Sequence, residues 1–255
     1  MQYLTDCRDL LLGMVERVGE IGRLARYSTY GLTSLATEVE KTRLLQWGQQ
    51  AEHPEQHALE LEEAAATAAY AKAQLAAGFP DVQAAALVSY WSALEAFVED
   101  LAVLLLDKDP DALRLDSVSA VKVSLSDYES LDREERLRLV VRELSRTSKA
   151  DLRQGATKLN AVLEMLGVSG SLDEATRRTL FEMGHVRNVV VHRAGVADRR
   201  LVDNCPWLSL SRGAQVILTR RDTERFEHAT FQYLRGLWRQ LHDRANIPWL
   251  ERYGW

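Results

Sequence analysis

The chain has 255 residues, of which 46% are hydrophobic and 27% charged. That length and balance describe a globular protein able to bury a real core, and they exclude a disordered or low-complexity chain. The net charge of −5 gives no general affinity for polyanions, yet residues 171–255 hold fourteen arginines, no lysine and ten acidic residues, a local excess compatible with a phosphate-binding surface.

From the N-terminus, "MQYLTDCRDLLLGMVERVGE" does not read as a secretory signal, because Asp6 and Asp9 interrupt the apolar core that such a signal needs. Leu10, Leu11, Met14, Val15, Val18 and Ile21 recur at helical spacing and predict a first amphipathic helix. After the turn-like "STYG" a second helix is expected from Leu32 to Trp47, then a break at "AEHPEQH" and a third helix from Glu55 to Ala77. In "AAGFPD" Gly78 can close one helix and Pro80 can open the next. The boundary between an N-terminal helical extension, residues 1–78, and a main helical domain, residues 79–255, is placed there.

"VQAAALVSYWSALEAFVEDLAVLLL" follows, the most apolar helix of the chain. Its longest uncharged run, Val82 to Leu94, is too short to span a bilayer. Leu87, Tyr90, Leu94, Phe97, Leu101 and Leu104 form one stripe; Val88, Trp91, Val98, Ala102 and Leu105 form the next, so the helix is expected at the centre of the fold. Glu95 falls within the second stripe, where a partly buried carboxylate needs a partner.

A loop at "DKDPDALRLDSVSAV" leads to helices expected at Arg133–Arg146 and Asp151–Leu166. Ser171 and Glu174 have the spacing of a capping box. A helix then runs through "LDEATRRTLFEMGHVRNVVVHRAG", with Leu180, Met183, Val186 or Arg187, Val190 and Val191 on its buried side and Gly195 closing it. His185 reads as a surface residue of that helix. Beyond it, "QVILT" is the most strand-like run, expected as a short hairpin or an extended arm. The last helix is expected to start at Asp222 or Thr223, with Phe226, Ala229, Tyr233, Leu237 and Leu241 facing the core, and the aromatic tail "IPWLERYGW" to pack back. The fold class is all-α. Cys7 and Cys205 show neither a metal spacing nor a disulfide framework, so a cytoplasmic location is the default expectation.

The chemistry concentrates in "RNVVVHRAG", residues 187–195. On a straight helix Arg187 and His192 lie roughly 7.5 Å apart along the axis and about 140° apart around it. They flank a surface of valines, expected to be a dry packing surface, and a two-fold copy of that surface would bring two arginines and two histidines into one cleft. Histidine serves as general base or acid near neutral pH, and arginine stabilises charge building on a phosphoryl group. RNA carries its own nucleophile, the 2′-hydroxyl. His53 and His57 have the spacing of a helical ligand pair, but Pro54 between them spoils that geometry, and no metal site is expected.

Arg187, Asn188 and His192, with Gly195 and Asp198 behind them, resemble the signature of the HEPN superfamily, the higher-eukaryote and prokaryote nucleotide-binding domains. "WSALEAFVEDL", residues 91–101, resembles the first core helix of that family, and "RGAQVILTRRD" its approach to the last helix. The likeness covers roughly residues 80–245 and leaves the first 78 unmatched.

The resemblance implies a homodimer joined through the motif helices. It also implies an endoribonuclease needing no metal or other cofactor, a bacterial toxin or anti-phage effector that leaves a 2′,3′-cyclic phosphate. His192 would be the acid or base, Arg187 would hold the scissile phosphate and Asn188 would support them. Glu95 is added here as a carboxylate that could orient Arg187 or His192, and Arg193, Arg199 and Arg200 as RNA-binding residues. Some relatives carry a tyrosine two residues after the histidine, where a partner adds AMP; this chain has Ala194 there, which leaves an antitoxin of another kind. The same residues also fit a helical module that binds RNA or a protein partner without cutting. A third fit is a sensor or scaffold subunit docked through residues 1–78.

Overall fold

The computed structural model describes residues 2–37, 41, 54–109, 111–147, 158–168 and 172–245. The described chain is all-α. Five long helices make the frame: α1 (Gln2–Leu35), α2 (Pro54–Ala77), α3 (Pro80–Lys108), and, nearer the C-terminus, α8 (Glu174–Arg193) and α10 (Arg220–Ala245). Between them lie α4 (Asp116–Ser119), α5 (Leu125–Glu129), α6 (Arg133–Thr147), α7 (Lys158–Met165) and α9 (Arg199–Asn204), with single 3-10 turns at Ala112–Arg114 and Pro206–Leu208. No described helix is long and apolar enough to cross a membrane.

The two stripes on α3 place it at the centre. Leu87, Tyr90, Leu94, Leu101 and Ala102 are fully buried, and α1, α6, α7, α8 and α10 all pack against it. Sequence reasoning gave the N-terminal helices no position. In the structure α1 makes the most extensive pairing with α3 among the described residues. Its Cys7, Leu11, Met14, Val18 and Ile21 enter the same buried cluster as the α3 stripes. Cys7 and Cys205 are free and buried, and burial pushes each thiol up to about 12, far from the range of a reactive thiolate.

Several helix ends differ from expectation, each for a local reason. "STYG" does not turn: α1 runs through it to Leu35. Thr29, Thr33 and Ser34 return their hydroxyls to Arg26, Thr29 and Tyr30 carbonyls at 2.6, 2.8 and 3.2 Å, a bonding mode that polar residues use inside helices. Leu32 to Leu35 therefore belong to α1, and most of the second helix expected through Trp47 lies outside the described residues. So do residues 151–157 of the helix expected from Asp151, and the tail from 246. The α8 cap is Asp173, two residues beyond Ser171: its carboxylate accepts from the Thr176 N–H and hydroxyl, both at 2.8 Å. The last helix begins at Arg220, because Thr219 and Asp222 close a reciprocal box with bonds of 3.0 and 3.3 Å.

"QVILT" forms no hairpin. Among the described residues there is no strand, only an isolated antiparallel bridge between Val196 and Gln215. Three backbone bonds of 2.8 Å, Ala197 N–H to Ala214, Gly213 N–H to Ala197 and Val216 N–H to Gly195, clasp an extended arm across the end of α8. On α10 the expected face is buried throughout, with Leu234 and Trp238 added to it.

Candidate functional site

The position of α8 is set where it crosses α3. A Cβ added to Gly184 would sit 2.7 Å from Cη2 of Trp91, so only glycine lets the two helices approach this closely. One turn further along each helix, Arg187 meets Glu95: Arg187 Nη2 donates to Glu95 Oε2 at 3.3 Å. Arg187 Nη1 donates to Asn188 Oδ1 at 3.2 Å, and its Nε is buried without a partner among the described residues. Glu95 is more exposed than its place in the stripe implies, 46% against 21% for the Arg187 side chain. At that exposure the pair stabilises the fold by at most about 1 kcal/mol. Its effect is to hold the guanidinium in one orientation.

Of the three valines only Val189 is fully buried; Val190 packs against the core from its edge, and Val191 is 46% exposed. At about 100° per residue, Arg187, Val191, Asn188 and His192 fall in that order within an arc of about 140°, while Val189 and Val190 hold the opposite side. Arginine, amide and imidazole thus share one outward arc over the last two turns of α8, with Val191 between them. The valines do not make one dry surface within a single chain. His192 is exposed and has no hydrogen-bond or ion-pair partner among the described residues.

The helix ends immediately after His192 and Arg193. Ala194 and Gly195 both take left-handed conformations, with φ of 49° and 77°. At Gly195 a Cβ would lie 2.6 Å from Gln215 Nε2, and that amide donates to the Ala194 carbonyl at 3.0 Å. Gly195 therefore serves the clasp. Asp198 accepts from the Leu201 N–H at 2.8 Å and caps α9.

His185 is not on the surface. It is buried, with its ring edge-on to Phe181 at 4.5 Å. Burial, with the charge of Arg200 beside it, holds its pKa below the ordinary value against the pull of Asp198. Arg193, Arg199 and Arg200 are exposed and line a separate cleft, which also takes in Arg177, Arg178 and Arg212. Sequence reasoning missed the last three, although the excess of arginine over lysine beyond residue 170 was its signal. No group of three His, Cys, Asp or Glu side chains among the described residues is placed to hold a metal ion.

Comparison with known protein families, curated proteins and solved structures finds no match to this chain.

Proposed function

We propose that the chain is an endoribonuclease of the HEPN type, acting as a toxin or defence effector. The observation that carries this reading is the outward arc of α8. There Arg187 is braced by Glu95 and Asn188, beside an exposed and unpaired His192. Arg187 stabilises charge on the phosphoryl oxygens, and Asn188 orients it. The RNA 2′-oxygen attacks the adjacent phosphorus and the P–O5′ bond breaks. One proton leaves the 2′-oxygen and another reaches the 5′-oxygen, giving a 2′,3′-cyclic phosphate and a 5′-hydroxyl. His192 handles one of these transfers. A second copy of α8, paired about a two-fold axis through exposed Val191, supplies the histidine for the other. Ala194 offers no hydroxyl for AMP addition, so silencing by that route is not part of this reading.

The test incubates the wild-type protein and His192→Ala with total RNA in EDTA and maps the new ends. Cleavage with cyclic-phosphate ends, reduced by about a hundredfold or more in the variant, is the expected result. Wild-type protein that cuts no more than the variant overturns the reading in favour of a module that binds RNA or a protein without cutting it.

A further inference from the structure

A broad concavity among the described residues lies beside the arc described above, not on it. It is a cleft of about 1830 Å³ between the N-terminal half of α8, α9 and the turn that follows α9, and the segment around Arg212. Six arginines and three carboxylates line it. Each carboxylate is already committed: Glu174 to Arg177 at 3.1 Å, Asp203 to Arg199 at 3.2 Å, and Asp198 to the cap of α9. Arg178, Arg193, Arg200 and Arg212 have no carboxylate partner among the described residues. Two of these four lie at opposite ends of α8, one on α9 and one beyond it, and with six arginines against three carboxylates the wall keeps an excess of positive charge. An anionic ligand offsets that excess.

The floor is built rather than incidental. Trp207 is anchored through its indole N–H, which donates to Glu182 at 2.7 Å. Glu182 is itself buried and paired with Arg225. Over the fixed indole lies the Arg178 guanidinium, 4.1 Å from the ring centroid. A guanidinium stacked on tryptophan turns its outer face to the cleft, where a nucleobase can stack.

We propose that this cleft is the track for a single-stranded RNA segment flanking the cleaved bond. Size favours a strand over a mononucleotide, since small-molecule pockets occupy about 300–1,000 Å³. Arg193 at the end of α8, Arg200 on α9 and Arg212 beyond it suit successive phosphates, with Arg178 on Trp207 as the base platform. Arg193 lines the cleft and directly follows His192 in sequence, so the track leads to the reactive arc. The identity of the strand as a substrate rests on the ribonuclease reading; its binding in the cleft does not.

The test measures fluorescence anisotropy of a labelled 12-nucleotide 2′-O-methyl RNA, which lacks the nucleophile and stays intact, over a range of salt concentrations. The proteins are the wild type, Arg200→Ala/Arg212→Ala, and a control with the same charge loss on α1, Arg17→Ala/Arg23→Ala. The cleft variant is expected to lose about tenfold or more in affinity. Its salt dependence should become shallower by roughly 1.4, the loss of two single-strand phosphate contacts. The control should bind like the wild type, and all three should melt alike. Equal binding by the cleft variant, no binding by the wild type, or AMP competing as strongly as the unlabelled oligonucleotide overturns the track. If the oligonucleotide binds through Arg200 and Arg212 but unmodified RNA is not cut, the ribonuclease reading falls and the cleft stands. If His192-dependent cutting occurs while the cleft variant binds normally, the cleft falls alone.

Discussion

Arg187 shows how one residue can be fixed without being fully buried. Two of its nitrogens are engaged by Glu95 and Asn188, and neither bond contributes much to stability at that exposure. A second residue, Glu227, carries a clearer energetic signature. It is half-buried where α1 meets α10, close to Gly22 and the Tyr90 hydroxyl. Burial raises its carboxyl pKa above the usual 4.5, with Arg26 opposing the shift. The folded protein therefore holds this proton more tightly than the unfolded chain does. Glu227 favours folding at acid pH, and that contribution is lost as pH rises from about 4.5 through the raised value. Glu227→Gln is accordingly expected to melt above the wild type at pH 8, with the gap narrowing toward pH 4 in thermal scans. A gap that is constant across this range would show that ionisation of Glu227 is not its cause.

At the scale of elements, the α8–α3 crossing decides where the arc sits. Trp91 is held at 9% exposure, so its ring has little free space in which to yield to a methyl group on Gly184. Gly184→Ala should cost about 1–3 kcal/mol by overpacking. Adding Trp91→Leu should cost less than the two single losses together, because both act on one contact; chemical denaturation of the four proteins checks this. Periodicity made the helices and their faces legible, and the α3 stripes and the α10 face are buried as their spacing implies. Ends were harder to read. Ser171 and Asp173 both suit a cap, and only the position of the first turn chooses between them. β-branched "QVILT" reads as a strand from residue preference, but a strand needs a neighbour along its length, and the arm has one only at its clasp.

For the whole molecule, the placement of Arg187, Asn188 and His192 late in one helix was legible because it is local, and so was a contact of Glu95 with Arg187, since its helix carries the central stripe. The burial of His185 was not, since it depends on packing around α8 that no helical period records. The cleft was half legible: arginine enrichment announced it, but its walls come from residues 174–213 folded back on themselves. Two copies of the molecule belong to the proposed chemistry, and Val191 is the apolar residue at the centre of the surface they would share. The wild type is expected to sediment at twice 28.9 kDa, and Val191→Asp as a single chain with RNA cleavage lost. A wild type that remains single at micromolar concentration would remove the two-fold site from the mechanism.

The clasp between Gly195–Ala197 and Gly213–Val216 closes the intervening segment into a ring, pinned again by buried Leu201 and Cys205 and by the bond of Trp207 to Glu182. Between the pinned points, at exposed Ser211 to Gly213, an insertion adds only loop entropy, about 0.6 kcal/mol per doubling of a flexible loop. The ring carries α9, Trp207 and Arg212, which form much of the cleft, while His192 sits outside it on α8. What the proposed track grips can therefore be rewritten by insertion and deletion there without retuning the residues proposed to cut, so recognition and reaction can evolve at different rates on one short stretch of chain.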